Sequence, residues 1–164
     1  MACGYRPALG GPEPSQKLSV DAAPTRVAEV DALRAVMAGA RAELSRMNAL
    51  AGQSGFPCMT IELLRVDEKP AGITLAPTTD TVLAPLARGS AVAVVGRAWV
   101  SDSPGSEPSR DTGNMRRAER YASTADPRRE ASRYDDAIRS AADELGHALA
   151  RRVLGLPEPA VEPM

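Results

Sequence analysis

The chain has 164 residues and a formal net charge of -1 at pH 7, with 20 lysines and arginines against 21 acidic residues. Basic and acidic residues are interleaved along the chain and not gathered into a stripe, and aromatic residues make up only 3% of it. Nucleic-acid binding needs a concentrated basic face and stacking aromatics, so we expect no nucleic-acid partner. No apolar run approaches the roughly 18 residues that cross a bilayer.

The chain begins with a stretch that carries no periodic pattern. Residues 1–16 are rich in glycine and proline, which is typical of an extended tether. Residues 17–22 alternate apolar with polar side chains, the pattern of a strand with one buried face. Pro24 ends this strand, and we expect Thr25 to cap the helix that follows.

An amphipathic helix is predicted over residues 27–50. Its apolar side chains recur alternately three and four residues apart, which places them on one stripe. They are Val30, Leu33, Met37, Ala40, Leu44 and Met47. Gly52 and the glycine and proline that follow end the helix.

Two strands are predicted in the middle of the chain, over residues 59–66 and 91–100. The alternation of the first slips at Leu63 and Leu64, which predicts a β-bulge. A long connection over residues 69–89 joins the two.

Residues 101–114 are rich in serine, proline and glycine and predict a flexible loop. The polar segment 115–122 suits an edge strand. Asp126 and Pro127 predict the start of the last helix, which ends at Gly155. The buried stripe of that helix is predicted to hold Tyr134, Ile138, Ala141, Leu145 and Leu149.

The order of elements is therefore β-α-β-β-β-α. It predicts an α/β (α+β) fold: one domain over residues 17–155, with a four-stranded mixed sheet and two long helices on one face. The domain follows the tether of residues 1–16. The tail of residues 156–164, rich in proline and glutamate, is expected to be disordered.

The third strand is apolar on both sides. One side can meet the helices through Val92, Val94, Ala98 and Val100. The other side holds Ala91, Ala93, Val95 and Trp99, with Arg97 among them. Helices on one face alone would leave this second side exposed, so either it meets a partner or ligand, or the 70–90 connection covers it.

The sequence offers no catalytic constellation. His147 is the only histidine, and no nucleophile and acid are nominated to work with it, so we expect it on the helix surface. The acidic pairs of the last helix and the arginines of both helices are expected to be solvated surface. Cys58 is expected to be a small buried residue. We therefore predict that the protein is not an enzyme and needs no cofactor or metal.

Three stretches resemble one known family. They are Cys3-Gly4-Tyr5-Arg6-Pro7, the passage from Asp31-Ala32-Leu33-Arg34 to Met59-Thr60-Ile61-Glu62, and the passage from Tyr134-Asp135-Asp136-Ala137 to Arg151-Arg152-Val153-Leu154. With the order of elements, they are similar to the LPS-assembly lipoprotein family (LptE-like), the small subunit that plugs the outer-membrane lipopolysaccharide translocon. The likeness covers nearly the whole chain, and its specificity lies in the sum of these motifs.

The resemblance implies a non-enzymatic lipoprotein on the periplasmic side of the cell outer membrane. In that family the cysteine of this motif carries the lipid, which corresponds to Cys3 and would hold the chain to the inner leaflet of the outer membrane. A charged and apolar signal segment is then expected before Cys3 in the precursor.

The implied partners are a large outer-membrane β-barrel LPS-assembly protein and lipopolysaccharide. The family binds lipopolysaccharide through basic side chains at one end of the sheet. Together with Trp99 on the open side of the third strand, the candidates here are Lys69, Arg88, Arg97, Arg116, Arg117 and Arg120.

Two other functions remain open from the sequence. An auxiliary lipoprotein of a periplasmic ABC-type lipid transport system would share Cys3 and the fold class without needing a barrel. A small soluble enzyme would need a cluster of acid, base and nucleophile that the sequence does not display.

Overall fold

The computed structural model describes residues 16–25, 27–74, 87–123 and 126–157. Within these ranges the chain forms seven elements. They are β1 (Ser19–Ala22), α1 (Val30–Arg46), β2 (Cys58–Thr74), β3 (Ala87–Ser101), β4 (Arg110–Asp111), β5 (Met115–Ala122) and α2 (Pro127–Val153). The predicted order is confirmed, with the two-residue strand β4 added inside the predicted loop 101–114.

The strands form one mixed sheet. β1 pairs with β2 in parallel, and β2 pairs with β3 in antiparallel orientation. β4 and β5 pair with successive parts of the opposite edge of β3, both antiparallel. The mixed sheet and the edge position of β5 within the described chain confirm the prediction.

The hairpin formed by β2 and β3 is longer than predicted. β2 continues to Thr74 and β3 begins at Ala87, so the predicted boundaries of the 69–89 connection are wrong at both ends. Pro70 suggests a loop because it cannot donate a ladder hydrogen bond, but the pairing absorbs it through a register shift between Pro70 and Gly72. The bulge predicted beside Leu63 is confirmed by the other register shift of this pair. Cys58, predicted to be buried, is half-buried at the start of β2.

The start of α1 differs from the prediction. Thr25 does not cap the helix: its Oγ1 accepts a hydrogen bond from the Val27 N–H at 3.1 Å and donates one to the Leu63 carbonyl at 2.8 Å. Glu29 is the N-terminal cap and makes no side-chain capping bond. Val30 is 57% exposed, so the predicted stripe is wrong there. Because α1 also packs against α2, its buried positions are Ala32, Val36, Met37, Gly39, Ala40, Glu43 and Leu44.

Both predicted ends of α2 are confirmed. The Asp126 carboxylate accepts a hydrogen bond from the Arg128 N–H at 3.0 Å, and Pro127 lies in the first turn. At the other end Gly155 has a φ of 71°, the left-handed conformation that glycine adopts most readily, and its N–H donates to the Arg152 carbonyl at 3.0 Å. The predicted stripe is buried at Ile138, Ala141, Leu145 and Leu149 and half-buried at Tyr134.

One hydrophobic cluster joins both helices to a single face of the sheet. The helices contribute residues such as Leu44, Leu145 and Leu149. The sheet contributes Met59, Ile61, Leu63, Val92, Val94, Ala98 and Val100. The prediction that both helices pack on one face, against these residues of the third strand, is therefore confirmed.

The two helices approach each other closely at two glycines. A methyl group on Gly146 would lie 2.7 Å from the Ala40 nitrogen and would overlap the Val36 carbonyl oxygen. A methyl group on Gly39 would overlap the Asp143 carbonyl oxygen in the same way. The backbones of α1 and α2 can therefore touch only because these positions carry no side chain.

We predict that Gly146→Ala lowers the free energy of unfolding by about 1–3 kcal/mol, because the methyl group forces the helices apart. Chemical denaturation of the two proteins measures this. Gly52→Ala is the control, since a methyl group there meets no atom within 4 Å, and it should change stability by less than about 0.5 kcal/mol. Equal stability of the Gly146→Ala variant and the unsubstituted protein would contradict the close contact.

Candidate functional site

The side of β2, β3 and β5 that faces away from the helices is called the open face here. Its residues stand in rows across the three strands, about 4.8 Å apart from strand to strand. In one row Lys69 and Arg120 flank Ala91. In another, Arg65 and Arg116 flank Val95. Cations therefore border a strip of small apolar side chains along β3.

The row between these two is less charged. Asp67 and Ala118 stand on either side of Ala93, and Asp67 forms an ion pair with Arg65 at 2.9 Å. Within the described residues Arg116 and Arg120 have no ion-pair partner. Their two positive charges are thus available on the outer border of the face.

Trp99 and Arg97 lie at the end of the open face next to β4. The Arg97 guanidinium carbon is 5.2 Å from the centroid of the Trp99 ring, which is a cation–π contact. Arg97 Nη2 is 2.8 Å from Asp111 Oδ2. Asp111 stands opposite Trp99 in the pairing of β3 with β4, so this short strand is what supplies the carboxylate.

The open face is better covered than the sequence predicted. Val95 was expected to be exposed there, yet it is 6% exposed, and Ala93 is 1% exposed. The register partners of Val95 are Arg65 and Arg116, and the aliphatic stems of long cationic side chains can cover a small apolar neighbour. Trp99 is half-buried.

Five of the candidate residues lie on the same face of the sheet, spread along the length of β3. Those on the open face are Lys69, Arg97, Trp99, Arg116 and Arg120. Arg117 alternates to the helix face of β5, where it pairs with Val94 in the register and donates a hydrogen bond to the Arg116 carbonyl at 2.9 Å.

Two candidates lie wholly or partly outside the described residues. Arg88 is part of β3, opposite Ile73, and its side chain lies outside the description. Cys3 and the rest of the predicted tether up to residue 15 lie outside the described residues, as does the tail from residue 158.

Sequence reasoning missed Arg65 and Asp111. The bulge shifts Arg65 onto the open face, and Asp111 arrives through a two-residue strand inside a predicted loop. The predicted bulge was the available signal for Arg65. Nothing in the sequence pattern signals the pairing of Asp111 with β3.

A second cluster of charges lies between the helices, around Glu43. Glu43 is 3% exposed. Its Oε2 accepts a hydrogen bond from Arg46 Nε at 3.0 Å and lies 3.1 Å from His147 Nδ1. Its Oε1 accepts from Arg151 Nη1 at 3.2 Å. The hydrogen bond from Arg46, with those from His147 and Arg151, lowers the pKa of Glu43 to about 2 against the opposing effect of burial.

This cluster corrects two expectations about the last helix. His147 was expected on the helix surface, but it is half-buried between Glu43 and Asp143, whose Oδ2 lies 3.5 Å from Nε2. Arg151 was expected to be ordinary surface, but it reaches the buried carboxylate of Glu43 and also donates to the Pro157 carbonyl. The two carboxylates approach opposite nitrogens of the imidazole, so they cannot share one metal ion with it. The part of the chain that the structure describes contains no metal-binding group of three or more such residues.

The low pKa of Glu43 predicts how the stability of the protein changes at acidic pH. A depressed carboxyl pKa adds stability above its ordinary value of 4.5, and this contribution is lost as the pH falls from 4.5 to about 2. Glu43→Gln should therefore lower the free energy of unfolding by roughly 3 kcal/mol at pH 7 and by progressively less below pH 4.5. Denaturant melts across this pH range measure the difference.

Glu144→Gln, an exposed substitution on the same region of α2, is the matched control and should show little difference at any pH. If Glu43→Gln lowered the free energy of unfolding as much at pH 2 as at pH 7, the carboxylate charge would not be what stabilises the helix pair.

Comparisons with known proteins support the fold. No family model and no curated protein matches the sequence. A minor lipoprotein from Acinetobacter baumannii aligns with a TM-score of 0.56 and 13% identity, covering 85% of this chain and 91% of that one. A candidate lipoprotein from Caulobacter crescentus CB15 aligns with a TM-score of 0.52 and 12% identity, covering 83% and 86%.

The chain thus has the fold of bacterial proteins described as lipoproteins, and at these identities the likeness concerns the fold alone. No helix among the described residues is both long and apolar enough to span a bilayer.

Proposed function

We propose that the protein is a non-enzymatic, lipid-anchored subunit that plugs and assists the β-barrel lipopolysaccharide translocon, on the periplasmic side of the outer membrane. The observation that carries this proposal is the open face. It combines the half-buried Trp99 with the exposed cations Lys69, Arg116 and Arg120 on both borders of β3. Such a face suits an anionic amphiphile, because the cations can meet phosphate groups while the accessible part of Trp99 contacts acyl chains.

The fold adds support of a general kind. Two solved structures that share it are described as lipoproteins, and the Cys3-Gly4-Tyr5 motif resembles the lipidated start of the LPS-assembly family. A lipid on Cys3 followed by a tether rich in glycine and proline would leave the domain free to enter a barrel. The lipid on Cys3 would hold the domain at the membrane, because each buried CH₂ of an acyl chain contributes about 0.8 kcal/mol to membrane binding.

We predict that protein isolated from native membranes carries acyl chains on Cys3. Intact-mass measurement should show the added mass, and Cys3→Ser should release the protein from the membrane fraction. Cys58→Ser is the control and should leave both the added mass and the membrane association unchanged. Unmodified Cys3 in the membrane-extracted protein would remove the anchor from the proposal.

We also predict that the open face makes the contacts with the barrel and the glycolipid. The double variant Arg116→Glu/Arg120→Glu should capture less of an outer-membrane barrel protein from detergent extracts than the unsubstituted chain does. The loss should be larger at low salt, because exposed charges are screened within about 8 Å at physiological ionic strength. Quantitative pull-down at two salt concentrations measures it.

Arg34→Glu/Arg139→Glu is the matched control, because it changes the charge equally on the exposed surface of the helices. Equal loss in both double variants would mean that overall charge and not the open face governs capture. Capture of an inner-membrane transporter in place of a barrel would favour the auxiliary subunit of a lipid-transporting ABC system.

A further inference from the structure

The connection between α1 and β2 exposes an aromatic side chain just before β2 begins. Among the described residues, the exposed large apolar side chains are Val30, at 57%, and Phe56, at 49%. The connection, residues 47–57, is called the α1–β2 loop here. It lies within the run 47–61, which contains no charged residue although such residues make up 25% of the chain. The loop can therefore leave water without burying a charge.

Backbone hydrogen bonds fix this loop beside the point at which the N-terminal segment enters the domain. The Leu18 N–H donates to the Ala49 carbonyl at 2.7 Å. The Ser19 N–H donates at 3.0 Å to the carbonyl of Pro57, which follows Phe56 directly. A group that holds the segment before Leu18 at a surface therefore also brings Phe56 to that surface.

The two exposed apolar side chains differ in their distance from this entry point. Val30 begins α1, and at 1.5 Å per residue it lies about 24 Å along the helix from Arg46 at the other end. Leu18 follows Cys3 by only 15 residues in sequence, which span at most about 50 Å. A lipid on Cys3 would thus keep the end of the domain that carries Phe56 close to the membrane.

Charges of both signs surround the loop. Lys17 and Arg46 are exposed at this end of the domain. Asp102 and Glu107 are exposed on the turn that follows β3, and this turn is at the same end because Cys58 pairs with the last residue of β3. Attraction to anionic lipid headgroups is therefore partly cancelled here. A contact made by this end with a membrane must be mainly apolar, and salt should change it little.

We propose that the α1–β2 loop is a membrane-contacting surface: Phe56 inserts into the lipid monolayer to which Cys3 anchors the chain. The inference rests on the lipid anchor of the proposed function and adds a second point of contact. Single exposed apolar side chains are common on protein surfaces. Phe56 differs from such residues because its loop is uncharged and is fixed beside the anchored segment. With two points of contact, the domain cannot turn freely at the membrane.

A weak anchor makes the contribution of the loop measurable. In the full chain with Cys58→Ser, a single myristyl chain is coupled to the Cys3 thiol through a maleimide, and one such chain binds membranes only marginally and reversibly. Sedimentation with vesicles of phosphatidylethanolamine and phosphatidylglycerol gives the partition constant. Phe56→Ser should lower it about three- to tenfold at both low and high salt, because the exposed part of the ring no longer leaves water.

Val30→Ser is the matched control, since it removes a similarly exposed apolar side chain at the far end of α1 and should leave the partition constant unchanged. A second readout does not depend on the folding of the serine variants. In a Trp99→Phe background, the fluorescence of Phe56→Trp should shift to shorter wavelength on the vesicles and be quenched by lipids with brominated acyl chains. Val30→Trp in the same background should show neither effect.

Unchanged partition of Phe56→Ser, or an equal loss for Val30→Ser, would overturn the inference. Loss of self-association or of a captured protein by Phe56→Ser, without a change in vesicle partition, would also overturn it, because the loop would then contact protein. Failure of the proposed function is seen separately, as unmodified Cys3 in native membranes. The vesicle experiment is independent of that result, since its acyl chain is supplied chemically.

Discussion

The contact of α1 with α2 at Gly39 and Gly146 is the constraint on which the rest of the structure depends. Two helices whose backbones touch form one layer, and this layer can bury its apolar side only against one face of the sheet. Glu43 is buried within the same layer, where Arg46 on its own helix and Arg151 on the other compensate its charge. A buried carboxylate left without these partners would be costly, so the charges also specify how the helices align.

The consequence appears on the other side of the sheet. β3 is apolar on both sides, and its second side has no helix over it in the described part of the chain. Small residues and flanking arginine stems reduce the exposed apolar area, which limits the aggregation risk of such a face. The same arrangement leaves charged groups around an apolar strip. The proposed function rests on this geometry, because exposed cations beside Trp99 suit an anionic, partly apolar partner.

Much of this fold is predictable from the sequence, and the exceptions have physical causes. The ends of α2 could be predicted because local interactions determine them: Asp126 and Gly155 act through their own backbone neighbours. The buried stripe of α1 differs from the predicted one because α1 packs against α2 as well as against the sheet. The periodicity of a single helix gives no information about this second contact. The role of Glu43 could not be predicted, because its partners His147 and Arg151 are more than a hundred residues away in sequence. On the open face, alternation correctly assigns the side of β3 that holds Arg97, whereas the partner of Arg97 depends on long-range pairing of a two-residue strand.

The most direct test of the central claim is site-specific photocrosslinking in cells. A photoreactive phenylalanine at Ala118, exposed in the middle of the open face, is compared with one at Ala38, exposed on the far side of α1. The account predicts crosslinks to lipopolysaccharide or to a barrel protein from position 118 and none from position 38. Crosslinks from position 38 alone would place the partner on the helices and contradict the account.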